Sequence, residues 1–217
     1  KFTKEIDAKK LWDKIIHNAW KSAEPGILFW DTIINESIPD CYADLGFKTV
    51  STNPCGEIPL CPYDSCRLIA VNLYSYVENP FTPQATFDYK KFNKHVQMAQ
   101  RIRDDIVDLE LEKVNKTVEK IEAEPENIEI KRTELNLWKK IKTKSIQGRR
   151  TGVGITAEGD MLAALGLKYG TPEATDFCED IHKKLALAAY RSSVDMARDR
   201  GSFPIYDSIR EEKNPMV

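Results

Sequence analysis

Asn53-Pro54-Cys55-Gly56-Glu57 sets a carboxamide, a thiol and a carboxylate on alternating positions, and a second thiol follows in Ser65-Cys66-Arg67-Leu68-Ile69-Ala70-Val71-Asn72-Leu73. In extended backbone, side chains two residues apart leave the same face. Asn53, Cys55 and Glu57 would then enter one small volume, offering one small substrate a hydrogen-bonding amide, a redox-active sulfur and a base. Pro54 fixes φ, and Gly56 lets a ligand come close to the backbone. The plain alternative is a cysteine packed as a small apolar residue. Asn53 and Glu57 argue against it, because a carboxylate buried without a partner is costly.

The other candidates are weaker. Cys55, Cys61 and Cys66 are spaced C-x5-C-x4-C, whereas paired zinc ligands come about two to four residues apart. His95 and His182 fall in helical contexts. Cys41 has no polar constellation around it, Cys178 beside Phe177 reads as a small core residue, and Cys61 reads as a spectator. Gly152-Val153-Gly154 opens like a dinucleotide fingerprint, but the next glycine is Gly159 and the G-x-G-x-x-G spacing fails. A turn that allows close packing before a helix is the expectation there.

These residues must be held by one domain. The chain has 217 residues, 41% hydrophobic and 30% charged, enough for a core with a well-solvated helical surface. A net charge of -2 excludes general electrostatic binding of nucleic acid. No apolar run is long enough to span a membrane, and the polar start from Lys1 to Lys10 is no signal peptide. Five irregularly spaced cysteines point to a reducing, cytoplasmic setting. A first residue other than Met, and an abrupt end at Asn214-Pro215-Met216-Val217, suggest an internal piece of a longer protein.

Along the chain, Asp7 caps an expected helix with the stripe Leu11, Trp12, Ile15, Ile16, Ala19 and Trp20, ended by Glu24-Pro25-Gly26. Residues 39–48 read as loop, and residues 51–65, with four breakers, as a structured loop. Leu68 to Val77 reads as a strand buried on at least one face. A long helix is expected from Asp88 to about Ala123, with Phe92, Val96, Ala99, Ile102, Ile106 and Leu109 inward. Residues 108–133 become highly charged, and 122–132 reads as a solvent-exposed excursion before a helix over 134–146. Thr156 or Gly159-Asp160 starts a helix ended near Gly166. Thr171-Pro172 starts another that runs to Gly201.

Taken together, these motifs resemble the catalytic subunit of ribonucleotide reductase. Asn53-Pro54-Cys55-Gly56-Glu57 resembles its finger loop, and Cys66 its second-half redox cysteine. Pro25-Gly26-Ile27-Leu28-Phe29 and Arg149-Arg150-Thr151-Gly152-Val153-Gly154 through Leu165-Gly166-Leu167 are similar to its flanking stretches. The wording is most like the adenosylcobalamin-dependent class. The resemblance implies an α/β fold: a ten-stranded α/β barrel of two five-stranded parallel halves with the finger loop threaded through it. This chain, 1–217, would be a helix-rich single fragment of that barrel domain, holding the loop and part of the second half.

The roles implied are specific. Cys55 would be the transient thiyl radical that abstracts the ribose 3′-hydrogen, Glu57 the general base, and Asn53 a hydrogen-bonding partner of the ribose hydroxyls. Cys66 would be one of two thiols that supply the reducing equivalents, its partner lying upstream of this chain. A thioredoxin-like dithiol would reset the pair. The full-length enzyme would bind a ribonucleotide substrate and nucleotide effectors and form a homo-oligomer, with the fragment inactive by itself. The competing expectation is a non-catalytic helical interaction module with a structural Cys-rich loop.

Overall fold

The computed structural model describes residues 3–215; positions 1, 2, 216 and 217 of the expected unit lie outside the described residues. The Asp7 carboxylate accepts from the Lys10 backbone N–H at 3.1 Å and starts helix α1, Ala8–Ser22. None of its residues is buried, and Trp12 and Trp20 are 53% and 81% exposed. Its apolar stripe therefore forms as expected but lies uncovered. A short helix α2, Trp30–Glu36, follows. The stretch expected as loop after it winds instead into a 3-10 segment, Ile38–Leu45, which buries Tyr42.

Residues 51–65 begin with a small hairpin. Strand β1, Ser51–Thr52, pairs antiparallel with β2, Pro59–Leu60. Strand β3, Arg67–Asn72, is shorter than the expected 68–77 and passes into a 3-10 turn, Leu73–Tyr76. A second hairpin, β4 (Val77–Glu78) with β5 (Thr86–Phe87), precedes helix α3, Tyr89–Ala123. Asp88 caps α3 by accepting from the Lys91 N–H at 2.9 Å. Helix α4, Ile128–Gly148, returns antiparallel against α3. The expected excursion over 122–132 is thus mostly helix, joined by a short turn. Val114 and Ile121 are buried in the hairpin, which lets two charged helices cover each other's narrow apolar face.

The largest departure comes next. Thr151–Thr156 is strand β6, not a turn, and it pairs in parallel with β3 over six residues, Arg67↔Thr151 through Asn72↔Thr156. Joining two parallel strands requires a crossover, and α3 and α4 provide it. Helix α5, Glu158–Leu165, starts from Ala157 rather than Thr156 or Gly159 and ends at Gly166. Helix α6, Pro172–Arg200, is capped by Thr171 and closed by Gly201, as expected. A final turn, α7, Ser208–Glu211, docks on the 3-10 segment: Tyr42 donates to Glu211 at 2.7 Å, and Arg210 pairs with Asp44.

The core packs β3, α3, α5 and α6 together around Leu73, Phe92, Val96, Met161, Leu162 and Ile181. Among the described residues the strands form three two-stranded sheets, of which only β3–β6 is parallel. The chain is helix-rich, as expected, and among the described residues the strands close no barrel. Among the described residues no helix is long and apolar enough to cross a membrane.

Candidate active site

The loop between β1 and β2 is six residues long, Asn53 to Ile58. The extended geometry expected for it is not adopted. The Gly56 N–H donates to the Asn53 carbonyl at 3.0 Å, and Gly56 has φ of 84°, so Asn53 to Gly56 is a tight turn. Pro54 presets its second residue, and Gly56 takes the left-handed conformation that other residues adopt at a cost. Asn53 then closes the loop from both sides. Its backbone N–H donates to the Ile58 carbonyl at 3.1 Å, and its side-chain Oδ1 accepts from the Ile58 N–H at 2.9 Å. Asn53 is therefore first a clasp, with only its Nδ2 group left for a ligand.

Cys55 and Glu57 stand exposed on this clasped loop. Leu28 packs beneath it, within 3.1 Å of where a Gly56 Cβ would lie. The packed cysteine is another one. Cys61 is 4% exposed, clusters with Tyr42 and Phe47, and has its thiol pushed up to about 11 by burial and by Asp64.

Cys66 directly precedes β3. Among the described residues no hydrogen bond or ion pair joins it to Asn53, Cys55 or Glu57. Its surroundings are a knot of charge. Arg67, buried, donates through Nε to Glu110 at 2.5 Å and through Nη2 to Ser145 Oγ at 2.8 Å, tying β3 to α3 and α4. Arg150 donates to the nearly buried Asp64 carboxylate at 2.5 Å. Arg103 of α3 is fully buried and donates through Nε to the Arg67 carbonyl at 2.7 Å and through Nη2 to the same oxygen at 2.5 Å. Burial pushes the Cys66 thiol above its ordinary value, Arg103, Arg150 and Arg67 pull it back, and Asp64 opposes them.

Gly152 explains how these groups fit. A Cβ there would lie 2.8 Å from Cys66 Sγ and 3.2 Å from Arg103 Nη2. The glycine read as part of a turn is the gap in β6 that admits the sulfur and the guanidinium side by side. Sequence reasoning missed Gly152, Asp64, Arg150 and Arg103. For Arg103 a signal existed: it falls in register with Phe92, Val96, Ala99 and Val107, the face that α3 buries, whereas Ile102 and Leu109 are 49% and 58% exposed.

The comparisons with known proteins agree with one another. Residues 1–216 match the family described as ribonucleotide reductase, barrel domain. A vitamin B12-dependent ribonucleoside-diphosphate reductase of Thermoplasma acidophilum is 31% identical over 213 residues, which is 98% of this chain and 24% of that protein. The protein of the same name from Mycobacterium tuberculosis is 29% identical over 97% of this chain and 26% of its own length. A ribonucleoside-diphosphate reductase subunit alpha of Chlamydia pneumoniae is 24% identical over 97% of this chain. The chain thus spans about a quarter of the length of the first two relatives.

Proposed function

The chain belongs to the ribonucleotide reductase barrel-domain family, and from that premise we propose that it carries the radical loop and one redox thiol of a ribonucleotide reductase. The observation that supports this most directly is the exposed Cys55, held with Glu57 on a loop that Asn53 closes. A cysteine serving only as packing is buried, as Cys61 is.

In this reading Cys55, as a thiyl radical, takes the 3′-hydrogen of a ribonucleotide. Glu57 accepts the 3′-hydroxyl proton, and the 2′-hydroxyl leaves as water. Asn53, through Nδ2, orients the ribose. Cys66 and a second thiol from outside this chain give up two electrons and two protons and become a disulfide. Cys55 then returns its hydrogen to the 3′ carbon. An external thioredoxin-like dithiol reduces the disulfide by exchange and is itself oxidised.

The cofactor in this reading is adenosylcobalamin, in keeping with the B12 dependence named for the relatives. The exposure of Cys55 fits it, since a bulky group can approach the sulfur from outside the loop. When bound, adenosylcobalamin supplies the radical; we assign no residue of this chain to holding it. The ten-stranded barrel, nucleotide effectors, a homo-oligomeric state and a cytoplasmic location belong to the full-length protein in this proposal, and the chain alone does not turn over.

The test is ribonucleotide reduction by the full-length enzyme carrying Cys55→Ser or Cys66→Ser, assayed with dithiol. Both variants are expected to lose turnover. Wild-type turnover in either removes that residue from the mechanism.

A further inference from the structure

A buried guanidinium normally comes with a carboxylate, because an unpaired buried charge is expensive. Around Cys66 that rule holds for Arg67 with Glu110 and for Arg150 with Asp64. It also holds for Arg149, the residue before Arg150, with Asp104 and Asp108. It fails for Arg103. Among the described residues Arg103 makes no ion pair, and its Nη1 is buried without a hydrogen-bond partner. Its other two nitrogens share one neutral acceptor, the Arg67 carbonyl. Burial lowers the Arg103 guanidinium to about 10, and the group that acts in the opposite direction is Cys66. Sulfur and guanidinium both border the space left by the missing side chain of Gly152, Cys66 Sγ at 2.8 Å and Arg103 Nη2 at 3.2 Å from the point its Cβ would occupy.

We propose that Arg103 is the positioning residue that serves as counter-ion to the Cys66 thiolate, held in place by its double hydrogen bond to the Arg67 carbonyl and admitted by Gly152. The inference rests on the redox role of Cys66 proposed above and adds the group that makes its sulfur able to leave and to attack. In the resetting exchange, a thiolate of the external dithiol attacks the partner sulfur of the Cys66 disulfide. The S–S bond breaks, its electron pair departs on Cys66 Sγ, and Arg103 faces that new charge before the sulfur takes a proton from solvent. The second thiol of the dithiol then closes the external disulfide and releases the partner cysteine. Other charges face the same sulfur: Arg67 from β3, Arg150 at the start of β6, and Asp64 from the loop before β3. Each arginine among these already has a carboxylate, so their fields at Cys66 are partly cancelled. That of Arg103 is not.

The experiment follows alkylation of Cys66 by iodoacetamide against pH in the full-length protein, read peptide by peptide with Cys178 as internal control. Arg103→Met is expected to move the Cys66 midpoint upward and slow its alkylation near neutral pH about tenfold. Arg103→Lys should restore much of the wild-type profile, and Cys178 should react alike in all three. An unchanged Cys66 profile in a folded Arg103→Met protein overturns the proposal. Should Arg103→Met not fold, a second comparison leaves Arg103 intact. Cys66→Asp and Cys66→Asn are near-isosteric, and a counter-ion predicts the higher melting temperature for Asp at pH 7. The reverse order overturns the proposal. Turnover of Cys66→Ser reports separately on the redox role, so each idea can fail while the other stands.

Discussion

Gly152 stands so close to Cys66 that a methyl group on it would reach 2.8 Å from the sulfur. The contact lies where the two parallel strands begin, beside the proposed redox thiol. Gly152→Ala forces either Cys66 or Arg103 to move, and Arg103 cannot do so freely because it is fully buried. Overpacking of this kind costs about 1–3 kcal/mol. The expected outcome is a lower melting temperature together with altered Cys66 alkylation, while Gly154→Ala, whose Cβ would meet only Leu68 at 3.4 Å, is much milder.

Asn53 separates loop closure from substrate contact. Asn53→Asp keeps the oxygen that accepts from the Ile58 N–H, whereas Asn53→Ala loses it, at about 1 kcal/mol for one hydrogen bond. Amide exchange at Ile58 should therefore quicken in Asn53→Ala and stay slow in Asn53→Asp. Activity of the full-length enzyme should fall in both, since neither keeps the Nδ2 donor. Full activity in Asn53→Asp would assign this residue to the loop alone.

Glu57 is exposed and makes no hydrogen bond or ion pair among the described residues, so its removal should leave the fold intact. Glu57→Gln is expected to lower turnover of the full-length enzyme by about 100-fold to 10,000-fold, the range for loss of a general base, with the melting temperature unchanged. A drop in activity matched by a drop in stability would point to a structural role.

Cys61 yields a prediction on the alkaline side. Its folded value of about 11 lies above the ordinary thiol value of 9.0, so the fold favours the neutral thiol. That contribution is complete below pH 9 and is lost as pH rises through about 11. Cys61→Ala should cost about 1 kcal/mol at pH 8 through lost packing. The gap to wild type should narrow between pH 9 and pH 11. Cys178 titrates in a similar range but is common to both proteins and cancels in the difference.

Three helix starts were readable from their caps, whereas the start of α4 was not, although Asn127 caps it by accepting from the Glu129 N–H. Asp7, Asp88 and Thr171 each accept from a backbone N–H three residues on, and Gly166 and Gly201 end α5 and α6. β6 was not readable, because Gly152 and Gly154 have low strand propensity and its partner β3 lies 84 positions earlier at Arg67↔Thr151. Strand formation there is set by a neighbour distant in sequence. The 53–57 segment was legible as a loop but not in its shape, since alternation presumes extended backbone and the Pro54/Gly56 pair makes a turn. Arg103 was hidden by its type: a charge on a charged helix reads as solvated until the burial of its whole face is known.

The β3–β6 ribbon has one further consequence. Each strand has a single strand partner among the described residues, so each has a border at which no second strand is paired. Such borders are adhesive, and sheets of parallel strands persist when covered on both faces. Expressed alone, the chain is therefore a two-sided seed: strands supplied by the same polypeptide would extend it into a wall, and strands supplied by other copies would extend it into an aggregate.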